Sequence, residues 1–102
     1  MSRSTANYPG LLYPNIGAIG ELRVSADLLA RGYDVFRAVS PCAKVDLVAL
    51  KGGRTIRVEV KTGAYSGLKG KVYHIPLNPS RFDVLAIALP DRIAYEPSGV
   101  VE

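Results

Sequence analysis

The chain has 102 residues, a formal net charge of +4 and a sequence pI near 9.4. That length allows one domain, which buries roughly 60–68% of its unfolded surface and leaves no room for a second catalytic unit. The mild basic excess suits a polyanionic partner. The single cysteine, Cys42, excludes an intramolecular disulfide and paired-cysteine zinc ribbons, and leads to the expectation of a reducing, cytoplasmic setting.

Met1 to Asn7 lacks the apolar core of a signal peptide, and no stretch approaches the about 18 apolar residues of a membrane span, so no membrane partner is expected. Residues 1–13, with the turns Tyr8-Pro9-Gly10 and Tyr13-Pro14, read as an extended arm. Asn15 reads as a helix N-cap. From Ile16 to Arg31 the apolar residues Ile19, Leu22, Ala26, Leu29 and Ala30 recur at helical spacing, and Gly32 supplies the stop. Glu21 lies off that stripe, in line with Gly17, Val24 and Leu28, which sets its carboxylate at the edge of the buried face.

Tyr33 to Val39 reads as the first strand, followed by a loop through Pro41. Val45–Lys51 and Arg54–Lys61 flank Gly52-Gly53 and predict a two-residue hairpin. With the glycines as loop, Val45 faces Val60, Leu47 faces Val58 and Ala49 faces Ile56 on a wholly apolar side, which fixes the register. The same register sets Asp46 against Glu59 and Lys44 against Lys61 on the other side. The run Val84–Leu89, closed by Asp83 and Pro90, is continuously apolar, as a strand covered on both faces requires. Arg92–Tyr95 reads as a last short strand of a mixed sheet, and residues 97–102 as a tail. Asp83 reads as a strand terminator.

Directly opposed carboxylates have Cβ atoms only about 5 Å apart, and like charges placed so destabilise a sheet. A hard divalent cation reverses that cost, since Mg²⁺ takes one or two protein carboxylates together with waters and phosphate oxygens. Asp46 and Glu59 are therefore candidate metal ligands. Lys61, two residues past Glu59, points to the same side of its strand, where an ammonium can position water or stabilise charge on a phosphorane. The plain alternative is a solvated face on which Glu59 and Lys61 neutralise each other. Arg54, Arg57, Lys69 and Lys71 are candidate phosphate contacts, or equally a solvated strand and loop. His74, the single histidine, and Tyr8, Tyr13 and Tyr65 read more simply as strand or turn residues than as catalytic or base-stacking groups.

The order Gly17-Ala18-Ile19-Gly20-Glu21, Arg31-Gly32-Tyr33-Asp34-Val35, Val45-Asp46-Leu47 and Val58-Glu59-Val60-Lys61-Thr62 resembles the PD-(D/E)XK nuclease superfamily. The likeness is to small members such as archaeal Holliday-junction resolvases and compact intron-encoded endonucleases, and it covers most of the chain. Val45 stands before Asp46 where the family's pattern has proline, and Gly63–Ser80 is rich in Gly and Pro where many members have a helix. The resemblance implies an α/β, restriction-endonuclease-like core: an N-terminal helix on a mixed sheet of about five strands, with the central hairpin carrying the active site. It implies a DNA endonuclease dependent on Mg²⁺ or Mn²⁺, with Asp46, Glu59 and Lys61 catalytic and Glu21 a third metal ligand or support. Cutting two strands or a branched junction needs paired sites, so a homodimer or homotetramer is expected. The rival reading is a catalytically inactive DNA-binding or assembly subunit that keeps the fold.

Overall fold

A computed structural model describes residues 8, 10–40, 42–63, 65, 66, 71, 72 and 81–102. Helix α1 spans Tyr13–Ala30, three residues earlier than the Asn15 cap predicts. Pro14 lies in its first turn, where a missing N–H is harmless and the ring presets the helical φ. Tyr13 therefore belongs to the helix and not to an arm. The helix ends as a Schellman motif: Gly32, at φ +92°, donates to Leu29 O, and Tyr33 N donates to Leu28 O at 3.1 Å. Leu28 and Tyr33 then meet in the core.

The sheet runs in the order β1 (Asp34–Arg37), β2 (Leu47–Lys51), β3 (Arg54–Thr62), β6 (Val84–Ala88), β7 (Ile93–Glu96), and a separate ribbon pairs β4 (Tyr65–Ser66) with β5 (Lys71–Val72). β3 and β6 are parallel and the other neighbours in the five-stranded sheet antiparallel, so the sheet is mixed as expected. Gly52 and Gly53 sit at φ +58° and +77°, the left-handed pair that a two-residue hairpin needs. The predicted register holds, with Leu47 opposite Val58 and Ala49 opposite Ile56.

One face of the sheet packs on α1. Val24 and Leu28 meet Leu47, Ala49, Ile56, Val58, Val84 and Ala86. On the other face Leu85, Ile87 and Leu89 gather with Phe82 and Ala94, so β6 is buried on both sides, as its unbroken apolar run requires.

The helix buries a different stripe from the one its spacing suggested. Ile16, Gly20, Val24, Ser25 and Leu28 face the sheet, whereas Leu22 and Leu29 are 54% and 58% exposed. Apolar residues surround this helix, so periodicity alone does not choose a face. Residues 97–102 also depart from a free tail: Val101 is buried in the main core, and Glu102 N donates to the Tyr33 hydroxyl at 3.2 Å. Two adjacent valines, Val100 and Val101, supply the apolar surface that brings this segment back. Among the described residues no helix is long and apolar enough to cross a membrane.

Gly20 sets the closeness of α1 to β3. A Cβ there would lie 2.7 Å from Thr62 Oγ1, and that hydroxyl is itself buried with no hydrogen-bond partner among the described residues. Gly20→Ala should destabilise the fold by about 1–3 kcal/mol, and adding Thr62→Ala should recover part of that loss. Thr62→Val alone, which exchanges an unpaired hydroxyl for a methyl at constant shape, should be neutral or stabilising. Thermal unfolding of the wild type, the three single variants Gly20→Ala, Thr62→Ala and Thr62→Val, and the Gly20→Ala/Thr62→Ala double variant checks both; equal cost of Gly20→Ala with and without Thr62 excludes the contact.

Candidate active site

The β2–β3 hairpin carries Asp46, Glu59 and Lys61 to one end of the sheet. The ladder expected to set Asp46 opposite Glu59 stops one residue short, at the pair Leu47 and Val58. Asp46 instead turns one oxygen onto the neighbouring strand: its Oδ2 accepts the Val60 N–H at 2.8 Å, while its backbone carbonyl accepts that of Ala38 at 3.1 Å. In a continuing hairpin Val45 and Val60 would exchange main-chain bonds. A side-chain acceptor takes the place of the main chain, and regular pairing ends there.

Asp46 and Glu59 remain electrostatic neighbours. Burial first, and then the Asp46 charge, push the Glu59 carboxyl above its ordinary value; Glu21 adds to the rise, and Lys61 and Arg81 oppose it. Thus Glu21 on α1, Asp46 before β2, and Glu59 and Lys61 on β3 act on one point. Glu21 and Asp46 also line one cleft of about 190 Å³, walled by Val39, Ser40 and Ala43. Among the described residues no salt bridge joins Glu59 to Lys61, although the Lys61 charge is felt at Glu59.

Oδ1 of Asp46 and both oxygens of Glu59 hold no hydrogen bond among the described residues. These are hard oxygen donors at partial burial, a set that suits a cation using one or two carboxylates and completing its shell from water and phosphate. Among the described residues no three His, Cys, Asp or Glu side chains are grouped so as to hold a metal ion together. Glu21 is engaged by Arg37, whose Nη2 donates to Glu21 Oε1 at 3.2 Å.

Two of the basic residues expected on a phosphate track, Arg54 and Arg57, make contacts within the fold while staying half exposed. Arg54 donates to Val100 O at 2.8 Å and stands 3.8 Å from Glu102. Arg57 grips Asp83 through its backbone N–H, Nε and Nη2, at 2.8, 3.2 and 3.1 Å, and this holds the Asp83 carboxyl below its usual range. Asp83 N returns a bond to Arg57 O at 2.9 Å, locking β3 to the head of β6. Lys69 and His74 lie outside the described residues, and Lys71 enters only through the backbone of β5.

Two arginines near the site escape sequence reasoning. Arg37 stands opposite Leu47, which fixes it on the helix-facing side of β1 within reach of Glu21. Arg81 precedes the strand that pairs with β3 through Glu59 and Leu85, and its charge is felt at Glu59. The β1–β2 pairing would have found Arg37 and the parallel β3–β6 pairing Arg81, but no tight two-residue turn marks either pairing in the sequence.

The raised Glu59 pKa has a stability consequence. The folded state binds this proton more tightly than the unfolded chain, so stability is lost as pH rises from the unfolded carboxylate range through the folded value. Without added metal, Glu59→Gln should raise the melting temperature at pH 7 and lose that advantage near pH 4; equal melting temperatures at pH 7 would contradict the strain assigned to this carboxylate.

Comparison with known proteins places the fold. A solved structure of a bacterial homing endonuclease, I-Ssp6803I, superposes with a TM-score of 0.66 over 83% of this chain and 68% of that one, at 19% identity. The helix on a five-stranded mixed sheet is a restriction-endonuclease-like α/β core. No curated protein sequence matches the chain. A family model described as PD-(D/E)XK endonuclease, whose members generally use divalent metals, matches residues 14–87. That span contains the hairpin and all but one residue each of α1 and β6, and with it the chain belongs to the PD-(D/E)XK endonuclease family.

Proposed function

We propose that the protein is a divalent-metal-dependent endonuclease that hydrolyses DNA phosphodiester bonds, with Mg²⁺ or Mn²⁺ held by Asp46 and Glu59 and Glu21 in support. The observation that carries this reading is the charge arrangement: a partly buried Glu59 raised by Asp46 and Glu21 and opposed by Lys61. Structural ion pairs relieve such repulsion, yet Glu59 and Lys61 form none among the described residues. When bound, the cation lowers the pKa of water and screens phosphate charge.

The chain's own groups have distinct tasks. The Val60 N–H fixes one Asp46 oxygen and leaves the other for the ligand. Lys61 hydrogen-bonds the attacking water or the phosphorane oxygens, where a positioned donor is most effective. Arg81 adds positive charge toward the same point. Paired sites in a homodimer or homotetramer would allow both strands of a duplex, or the symmetric strands of a Holliday-junction-like branch, to be cut.

The substitution at Asp46 must retain the acceptor for Val60, so Asp46→Asn is the appropriate variant. Asp46→Asn and Lys61→Ala should each slow cleavage on the order of 100-fold or more while remaining cooperatively folded. The assay uses linear, single-stranded, flapped and four-way-junction DNA with Mg²⁺ or Mn²⁺ present or chelated. Wild-type cutting by either variant, or metal-independent cutting, sinks the assignment; DNA binding without any product favours the inactive-subunit reading. Sedimentation at micromolar concentration should show two or more copies, and a monomer there removes the paired-site proposal.

A further inference from the structure

Glu21 faces two possible partners. Its Oε1 accepts from Arg37 Nη2 at 3.2 Å, with the side chains 28% and 47% exposed. It also lines the cleft shared with Asp46. A carboxylate held by a guanidinium is a poorer ligand for a cation, because the two positive groups compete for the same oxygens and repel each other. Arg37 is placed for this competition by its register: it pairs with Leu47, the residue next to Asp46, and Ala38 N bonds Asp46 O.

Arg37 is also open to solvent, with its side chain 47% exposed. Beside it lies a second, largely apolar trough of about 230 Å³, whose lining includes Lys44 and Asp46. The described contacts use Nη2 of Arg37 alone. A guanidinium has five N–H donors in a planar fork that matches phosphate oxygens in pairs. A DNA phosphate entering next to Lys44 would therefore offer Arg37 a doubly hydrogen-bonded anion in exchange for a single bond to Glu21.

We propose that Arg37 is a positioning residue that couples metal binding to DNA binding: it occupies Glu21 in the free protein and releases that carboxylate to the cation when a DNA phosphate takes the guanidinium. This rests on the proposed nuclease reading and specifies how its site is regulated. Linkage makes the coupling reciprocal, so DNA strengthens metal binding by the same factor by which metal strengthens DNA binding. The free protein then keeps a weak metal site that tightens on substrate.

Calorimetric Mn²⁺ titration of the full chain tests this, with and without a short DNA duplex, all proteins carrying Lys61→Ala so that the duplex stays intact. With Arg37 present, DNA should tighten Mn²⁺ binding at least about 5-fold, within the usual range of site-to-site coupling. Arg37→Gln should bind Mn²⁺ at least about 5-fold more tightly without DNA, and the gain from DNA should shrink toward one. Arg37→Lys, which keeps the charge, should return Mn²⁺ affinity without DNA toward that of the Arg37 protein; it also serves as the readout if the glutamine variant fails to fold. Unchanged or weaker Mn²⁺ binding in Arg37→Gln, an undiminished gain from DNA, or a lysine variant whose affinity shows no dependence on DNA overturns the proposal. Asp46→Asn separates the two levels. If it abolishes Mn²⁺ binding while Arg37 has no influence, the metal site stands and the role of Arg37 falls; if no protein binds Mn²⁺, both fall.

Discussion

One oxygen of Asp46 accepts the Val60 N–H, 2.8 Å away, where β2 and β3 cease to pair. That bond does two things at once. It satisfies a backbone donor that would otherwise be orphaned near the core, a cost of about 1–3 kcal/mol. It also anchors a carboxylate beside Glu59 despite their repulsion, which is felt as a rise in the Glu59 pKa. The end of the ladder and the start of the site are the same structural event. A simple continuation of the hairpin would have consumed the Val60 N–H in main-chain pairing and left Asp46 to rotate into solvent.

The hairpin was legible because two independent signals agree. Gly52 and Gly53 demand a turn with positive φ, and the alternation of Leu47, Ala49, Ile56 and Val58 admits one register. The fate of Asp46 within that register was not, because a short acidic side chain can replace a main-chain acceptor and no periodicity records the exchange. The buried face of α1 was obscured for the opposite reason, an excess of signal: Leu22 and Leu29 look like core residues yet are exposed, while Gly20 and Ser25 look neutral and face the sheet. Glu21 nonetheless arrives at the site, because it adjoins the true buried stripe as well as the expected one.

Basic composition does not say where each cation is placed. The +4 excess is a property of the whole chain, whereas the placement of each cation depends on its nearest carboxylate or carbonyl. Arg54 and Arg57 are used to fasten the C-terminal residues and the head of β6. Arg23 donates to Leu89 O at 2.5 Å, and Arg31 pairs with Asp27 while stacking 5.2 Å from the Tyr95 ring. Arg37 and Arg81 differ because they stand beside acidic residues of the site itself, where fixed positive charge offsets repulsion among the carboxylates.

Packing between helix and sheet finally determines how far Glu21 can reach. Gly20, the residue before it, is pressed on Thr62 so closely that a methyl group there would overlap the hydroxyl. Thr62 in turn follows Lys61 on the strand that bears Glu59. This tight approach of α1 to β3 therefore falls one residue from an acidic group on the helix and one residue from the lysine on the strand. At the far end of the helix, the Tyr95 hydroxyl donates to Asp27 Oδ2, 2.5 Å away, and ties α1 to β7. A larger residue at position 20 would move the helix outward and carry Glu21 with it, so one small side chain governs both the stability of this contact and the dimensions of the cleft between Glu21 and Asp46.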